Sequence, residues 1–143
     1  MRITLESDYA LRILTAMAMY DGVTDAKTIS ADTSVTQRFT LKILHKLVLG
    51  DIVVSYKGVR GGYQLKIKPE EITLKMVIEL IDGPIAIARC VDTGEGCSLN
   101  CDKTACAYHH IFDTISLELA AKLNKITIAD VIKQNSLNGG AVK

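Results

Sequence analysis

Apolar positions along the chain change period several times, and each change marks an element. Leu5, Tyr9, Ile13, Ala16 and Met17, with Ala10 and Leu14 beside them, recur at intervals of three and four. That spacing predicts an amphipathic helix over 5–20, stopped by Asp21 and Gly22. A short helix is predicted over 25–32, with Asp25 placed to cap it. Thr33, Ser34 and Val35 interrupt the pattern. Thr36 can then cap a third helix reaching about residue 49, with Phe39, Ile43, Leu44 and Leu47 on one face and Gly50 as its stop. Helix, three-residue turn, helix is the length pattern of a helix-turn-helix.

From residue 52 the pattern is that of strands. Segments 52–56 and 62–67 are joined by Lys57-Gly-Val-Arg-Gly-Gly62, whose glycines permit the positive φ angles of a hairpin. A hairpin directly after a helix-turn-helix is a winged helix. The predicted fold class is therefore mainly α with a small β-hairpin wing. A further helix over 73–81 ends at Asp82-Gly83-Pro84. Residues 89–106 have little apolar periodicity and are expected to form an irregular loop ordered by something other than a core. A long helix over 108–124 carries a stripe of Phe112, Ile115, Leu119 and Leu123. This stripe is too apolar to leave in water on a small domain, so it predicts a homodimer paired about a two-fold axis. A short helix over 126–132 and a flexible tail over 134–143 complete the chain. The expected organisation is a DNA-binding domain over 1–83, a cysteine-rich loop over 84–107 and a dimerisation region over 108–133.

Composition narrows the class. The 143 residues are 48% hydrophobic and 23% charged, a globular balance that excludes wholesale disorder. No apolar run approaches the ~20 residues of a membrane span. Glu6 and Asp8 precede any hydrophobic run, which argues against a secretory signal and for the cytoplasm. The net charge of +1 conceals an asymmetry. Residues 36–68 hold Arg38, Lys42, Lys46, Lys57, Arg60, Lys66 and Lys68 against a single acid, Asp51. Such a block suits a polyanion contact on one surface. The outward residues near the start of the third helix are Ser34, Thr36, Gln37, Arg38, Thr40 and Lys42. There Arg can pair with guanine and Gln with adenine, and the hydroxyls can meet phosphate. Lys57 and Arg60 on the wing are placed for a neighbouring phosphate or the minor groove. The expected partner is double-stranded DNA with a pseudo-palindromic operator, and His45 reads as an ordinary surface residue of the same helix.

All four cysteines fall within residues 90–106, spaced Cys90-x6-Cys97-x3-Cys101-x4-Cys106-x2-His109. Zinc fingers and ribbons use closer pairs separated by a longer gap. Well-spaced thiolates with a fourth ligand nearby suit a small iron–sulfur cluster, [2Fe–2S] or [4Fe–4S]. A reversible disulfide or another metal ion uses the same residues.

The opening Met-Arg-Ile-Thr, Ser7-Asp-Tyr-Ala-Leu-Arg12, the wing Gly58-Val-Arg-Gly-Gly-Tyr63, Arg89-Cys90 and Asn124-Lys-Ile-Thr127 together resemble the Rrf-type family of winged-helix transcription regulators, the class that includes IscR and NsrR. The resemblance covers nearly the whole chain. It implies a homodimer joined by a long antiparallel helix pair and an iron–sulfur cluster sensing iron–sulfur status, nitric oxide or redox change. By position, Cys90, Cys97 and Cys106 match the family's three thiolate ligands. The fourth ligand is either Asp8, supplied by the partner subunit, or His109, with Asp8 narrowly favoured. The spacings of six and eight are wider than the family's usual ones, and Cys101 is additional, standing as a ligand, a redox partner or an idle thiol. His110 reads as a helix-surface residue. The alternatives are a cluster-free regulator working through a thiol switch or a protein partner, and a small redox enzyme or electron carrier. The chain lacks a phosphate-binding glycine loop, a Ser/His/Asp signature and a Cys-x-x-Cys pair, which argues against an enzyme.

Overall fold

The computed structural model describes residues 2–92, 97 and 102–138. Helices α1 (Leu5–Met17), α2 (Ala26–Thr33) and α3 (Gln37–Leu49) lead into strands β1 (Val53–Tyr56) and β2 (Gly62–Leu65). Then follow α4 (Leu74–Asp82), the short α5 (Arg89–Asp92), a single 3-10 turn over Lys103–Ala105, α6 (Ala107–Asn124) and α7 (Ile128–Leu137). The fold class is the one expected, mainly helical with one antiparallel hairpin.

One apolar cluster unites α1, α2, α3, the hairpin, α4 and α7. Ile13, Leu14, Ile29, Ile43, Leu44, Leu47, Ile52, Ile72, Val77 and Ile128 are essentially solvent-free within it. Each such side chain contributes roughly 1.5–3 kcal/mol of burial free energy. Local chemistry sets the ends of the helices. Thr4 caps α1 by accepting from the Ser7 amide, and its own backbone and hydroxyl donate to Asp82 at the end of α4. Asp25 caps α2 through the amides of Lys27 and Thr28, as expected. Thr127 and Asp130 form a reciprocal capping box at the start of α7. Thr36 occupies the cap position of α3, but its side chain makes no capping bond among the described residues.

The turn between α2 and α3 is built around Val35, which is 2% exposed. Ser34 turns the chain in the left-handed region, at φ 56°. The Val35 carbonyl accepts from the hydroxyls of Ser30 and Thr40, at 2.6 and 3.4 Å. The wing pairs Val53 with Leu65 through to Tyr56 with Gly62. A third segment joins it, because Thr24 and Tyr63 form an isolated antiparallel bridge. Behind α3, Thr73 bridges Thr127 and ties the start of α4 to the connection between α6 and α7.

Beyond shifts of one or two residues at element ends, three segments differ from expectation. Helix α1 ends at Met17, three residues early, in turns over 18–20 closed by the carbonyls of Leu14, Ala16 and Met17. The 89–106 segment contains helix α5 and the 3-10 turn. Helix α7 runs to Leu137 rather than stopping near 132, so residues 134–137 are helical and not part of a tail. The capping box and the buried Ile128 and Ala129 give that helix its anchor.

Candidate nucleic-acid interface and cysteine segment

Helix α3 turns Thr40, Ile43, Leu44 and Leu47 into the core. The opposite face carries Arg38, Lys42 and His45, all exposed and spaced by four and three. Thr36, Gln37 and Ser34 are exposed at its N-terminal end. Thr40, expected to face outward, is instead fully buried. It stands three and four residues before Ile43 and Leu44, on their face, and its hydroxyl is directed at the Val35 carbonyl. Thr40 clamps the turn and reaches no groove. Phe39, expected in the core, is 44% exposed and meets Tyr9 of α1 edge-on, with ring centroids 6.0 Å apart. Arg38, Phe39 and Lys42 line a concavity of about 600 Å³.

The wing places Lys57 and Arg60 in solvent around Val59 at its tip. Among the described residues Arg38, Lys57 and Arg60 make no ion pair, whereas Lys66 pairs with Asp51 at 2.6 Å. Glu6 of α1 pairs with both Lys42 and Lys46, at 3.1 and 2.8 Å. The Lys46 ammonium, opposed by partial burial and aided by Lys42, holds the Glu6 carboxyl below the usual carboxylate range. Neither Glu6 nor Phe39 stood out in the sequence as part of this surface.

The chain after α4 docks on α6 through Ser116, which is 2% exposed. Its hydroxyl accepts from the Ile87 amide at 3.1 Å and donates to the Phe112 carbonyl at 2.6 Å. Three residues on, Cys90 lies half-buried in α5, which packs on α6. Cys106, also half-buried, occupies the cap position of α6, and Cys97 is exposed. Cys101 lies outside the described residues. His109 stands one turn after Cys106 and two turns before Ser116, on the face that receives the incoming chain. Its Nδ1 is buried and, among the described residues, has no hydrogen-bond partner. Asp8, by contrast, is paired with Arg12 at 2.6 Å. His110 is exposed, as expected, and its Nε2 lies 2.8 Å from the Thr104 carbonyl, tying the 3-10 turn to α6. Among the described residues no three Cys, His, Asp or Glu side chains converge as they would around a metal ion.

The stripe expected to pair two chains is divided. Phe112, Leu119 and Leu123 are half-buried and share a helix face with Ser116, in a helix that packs on α4 and α5, whereas Ile115 is 44% exposed. The apolar surface α6 leaves open is Tyr108, Ile111 and Ile115, with Leu117 on the far side. None of the helices, among the described residues, is long and apolar enough to cross a membrane.

Comparison with known proteins agrees with this architecture. IscR of Aliivibrio salmonicida is 26% identical over 139 residues, spanning 96% of this chain and 80% of that protein. NsrR of Bacillus subtilis is 26% identical over 135 residues, spanning 93% and 91%. Both are HTH-type transcriptional regulators. Among solved structures, CymR, the global cysteine regulator of B. subtilis, superposes with a TM-score of 0.75 at 22% identity, covering 94% of this chain and 98% of that one. The profile of the Rrf2 family, described as "Iron-dependent Transcriptional regulator", matches residues 3–134, and the chain accordingly belongs to the Rrf2 family of transcriptional regulators rather than to an enzyme family.

Proposed function

We propose that this protein is a dimeric, operator-binding regulator whose DNA affinity is controlled by an iron–sulfur cluster in its cysteine segment. The observation that carries the DNA half is the outward ridge of α3. Arg38 and Lys42 face away from the core beside exposed Gln37, with the Lys57 and Arg60 wing alongside. Arg38 and Gln37 offer paired hydrogen bonds to base edges, and the hydroxyls of Ser34 and Thr36 together with Lys42, Lys57 and Arg60 offer phosphate contacts. Binding that weakens steeply with salt, and that prefers sequences enriched from a random duplex pool, is the expected outcome.

The open face of α6 supports the dimer. Ile111 and Ile115 are apolar and exposed at i, i+4, so a second copy related by a two-fold axis would cover them, with Phe112, Leu119 and Leu123 at the margin. A two-fold dimer presents two recognition helices to a pseudo-palindromic site.

The cysteine segment fits an iron–sulfur cluster by its donor chemistry. Cys90 and Cys106 flank the segment from α5 and the start of α6, Cys97 lies between them in sequence, and His109 stands one turn after Cys106 with its Nδ1 buried and, among the described residues, unpartnered. A polar atom buried without a partner costs free energy that ligation would recover. Cys90, Cys97 and Cys106 would hold the cluster, with the fourth donor either Asp8 from the second copy, released from its exposed pair with Arg12, or His109 of the same chain. When bound, the cluster supplies a redox- and nitric-oxide-sensitive iron centre. The residues of this chain would relay its presence through Ser116, which couples the Ile87–Cys90 segment to the helix proposed to pair the subunits. Cys101 is proposed as a bystander to this set. Anaerobic absorption spectra with iron and sulfide assays test the assignment. Visible absorption that survives alanine at any of Cys90, Cys97 or Cys106 overturns it. The second reading, a thiol switch, rests on the same half-buried thiols and would appear as a disulfide without iron.

A further inference from the structure

Glu6 belongs to α1, yet its carboxylate reaches across to two lysines of the recognition helix. It meets Lys46 at 2.8 Å and Lys42 at 3.1 Å, and it is the more enclosed partner, with its side chain 21% exposed against 34% and 55% for the lysines. Lys42 stands on the outward ridge of α3 beside Arg38, on the wall of the basic concavity. Lys46 lies one turn further along, toward α1.

We propose that Glu6 is a specificity-determining residue that withholds these lysines from indiscriminate phosphate contact. The inference rests on the DNA-binding reading of α3. Non-specific binding is almost wholly phosphate neutralisation, whereas specific binding adds base contacts that carry no such dependence. A built-in carboxylate competes with phosphate for Lys42 and repels a phosphate approaching Lys46. It therefore weakens non-specific binding more than operator binding. On a specific site, where Arg38 and Gln37 engage bases, Lys42 exchanges Glu6 for phosphate while Lys46 retains the carboxylate. The exchange is cheap because an exposed ion pair in water is weak. The carboxyl is held below the usual carboxylate range by Lys46 and Lys42 despite partial burial, so the counter-charge persists at neutral pH.

The test measures anisotropy on a mixed-sequence duplex and on a duplex enriched from a random pool by the wild-type protein, across a salt series, for the full chain. Glu6→Gln keeps the shape and removes the charge. It should tighten mixed-sequence binding by about two- to fivefold, the scale of an exposed ion pair. It should also steepen the salt slope by ~0.9 for one phosphate gained, and lower the ratio of enriched to mixed-sequence affinity. Glu6→Asp, which retains the charge, should keep the wild-type slope. In a Lys42→Ala background most of the Glu6→Gln effect should vanish. Arg38→Ala separates the two layers of the argument. If Arg38→Ala weakens enriched-site binding while Glu6→Gln leaves affinity and slope unchanged, or weakens both duplexes, Glu6 has no such role and the DNA-binding face stands. If neither variant changes binding to either duplex, both fall.

Discussion

The backbones of Thr24 and Tyr63 exchange two hydrogen bonds, of 2.9 and 2.8 Å, and so bind the segment before α2 to the wing. This bridge fixes the wing relative to the helix-turn-helix it flanks. It also brings the Thr24 backbone so close to Gly62 that a Cβ there would lie 2.5 Å from the Thr24 carbonyl oxygen. Gly62→Ala should therefore separate the bridge and cost about 1–3 kcal/mol in urea unfolding. DNA binding should weaken with it as Lys57 and Arg60 lose their placement. A variant as stable as the wild type would show that the wing tolerates independent movement.

On the proposed DNA surface, two substitutions should behave differently. Arg38→Ala should lose about 1–3 kcal/mol on the enriched operator and far less on mixed sequence, as expected of a base contact. Lys57→Ala should weaken both duplexes alike and flatten the salt slope by ~0.9. Identical effects from the two variants, read by anisotropy over a salt series, would show that Arg38 meets only phosphate.

The dimer proposal predicts an asymmetry between two exposed residues of α6. Ile115→Asp puts a carboxylate into the expected interface twice, once from each copy, and should raise the dimer dissociation constant at least about tenfold, or ~1.4 kcal/mol. Leu117→Asp, on the opposite side of the helix, should leave it unchanged. Sedimentation velocity over a concentration series distinguishes them. A wild-type chain that sediments as a monomer throughout would remove the proposal.

Asp130 accepts from the backbone amide and the hydroxyl of Thr127, at 3.0 and 2.8 Å. Those bonds hold its carboxyl below the ordinary value of 3.8. A depressed folded-state value means that the capping box stabilises the protein above that ordinary value, and that the contribution disappears as pH falls through the folded one. Thermal midpoints should therefore fall on acidification below about pH 4 more steeply in the wild type than in Asp130→Asn. Equal acid limbs would place the acid sensitivity in other carboxylates, such as Asp82.

The fold was legible because it rests on short-range pattern. The helix-turn-helix spacing, the glycine-rich wing and the Asp25 cap are written in consecutive residues, and each appears where expected. The orientation of α3 was less so. Phe39 is apolar and so reads as core, but Thr40 shares the 40, 43, 44, 47 spacing and takes that place, its hydroxyl satisfied by the Val35 carbonyl. Periodicity alone, weighed without regard to polarity, contained that answer. The Glu6 contact with Lys42 and Lys46 spans some forty positions, and no local pattern announces it. The α6 stripe was found but its rotation was not, because Ser116 looks like a surface residue until the Ile87 amide that it satisfies is known. The cysteine segment stands out in the sequence through residue type and spacing, while whether its thiols come together depends on tertiary placement that spacing does not encode.

The measurement that bears most directly on the account is operator affinity, determined anaerobically on one preparation before and after removal of iron, with wild type and Cys106→Ala side by side. Control by a bound cluster predicts a coloured wild-type dimer whose affinity changes at least about tenfold, ~1.4 kcal/mol, when the iron is removed. It also predicts a colourless Cys106→Ala protein fixed at the iron-free affinity. A wild-type protein that contains no iron as purified, or one whose affinity is the same with and without iron, would contradict it.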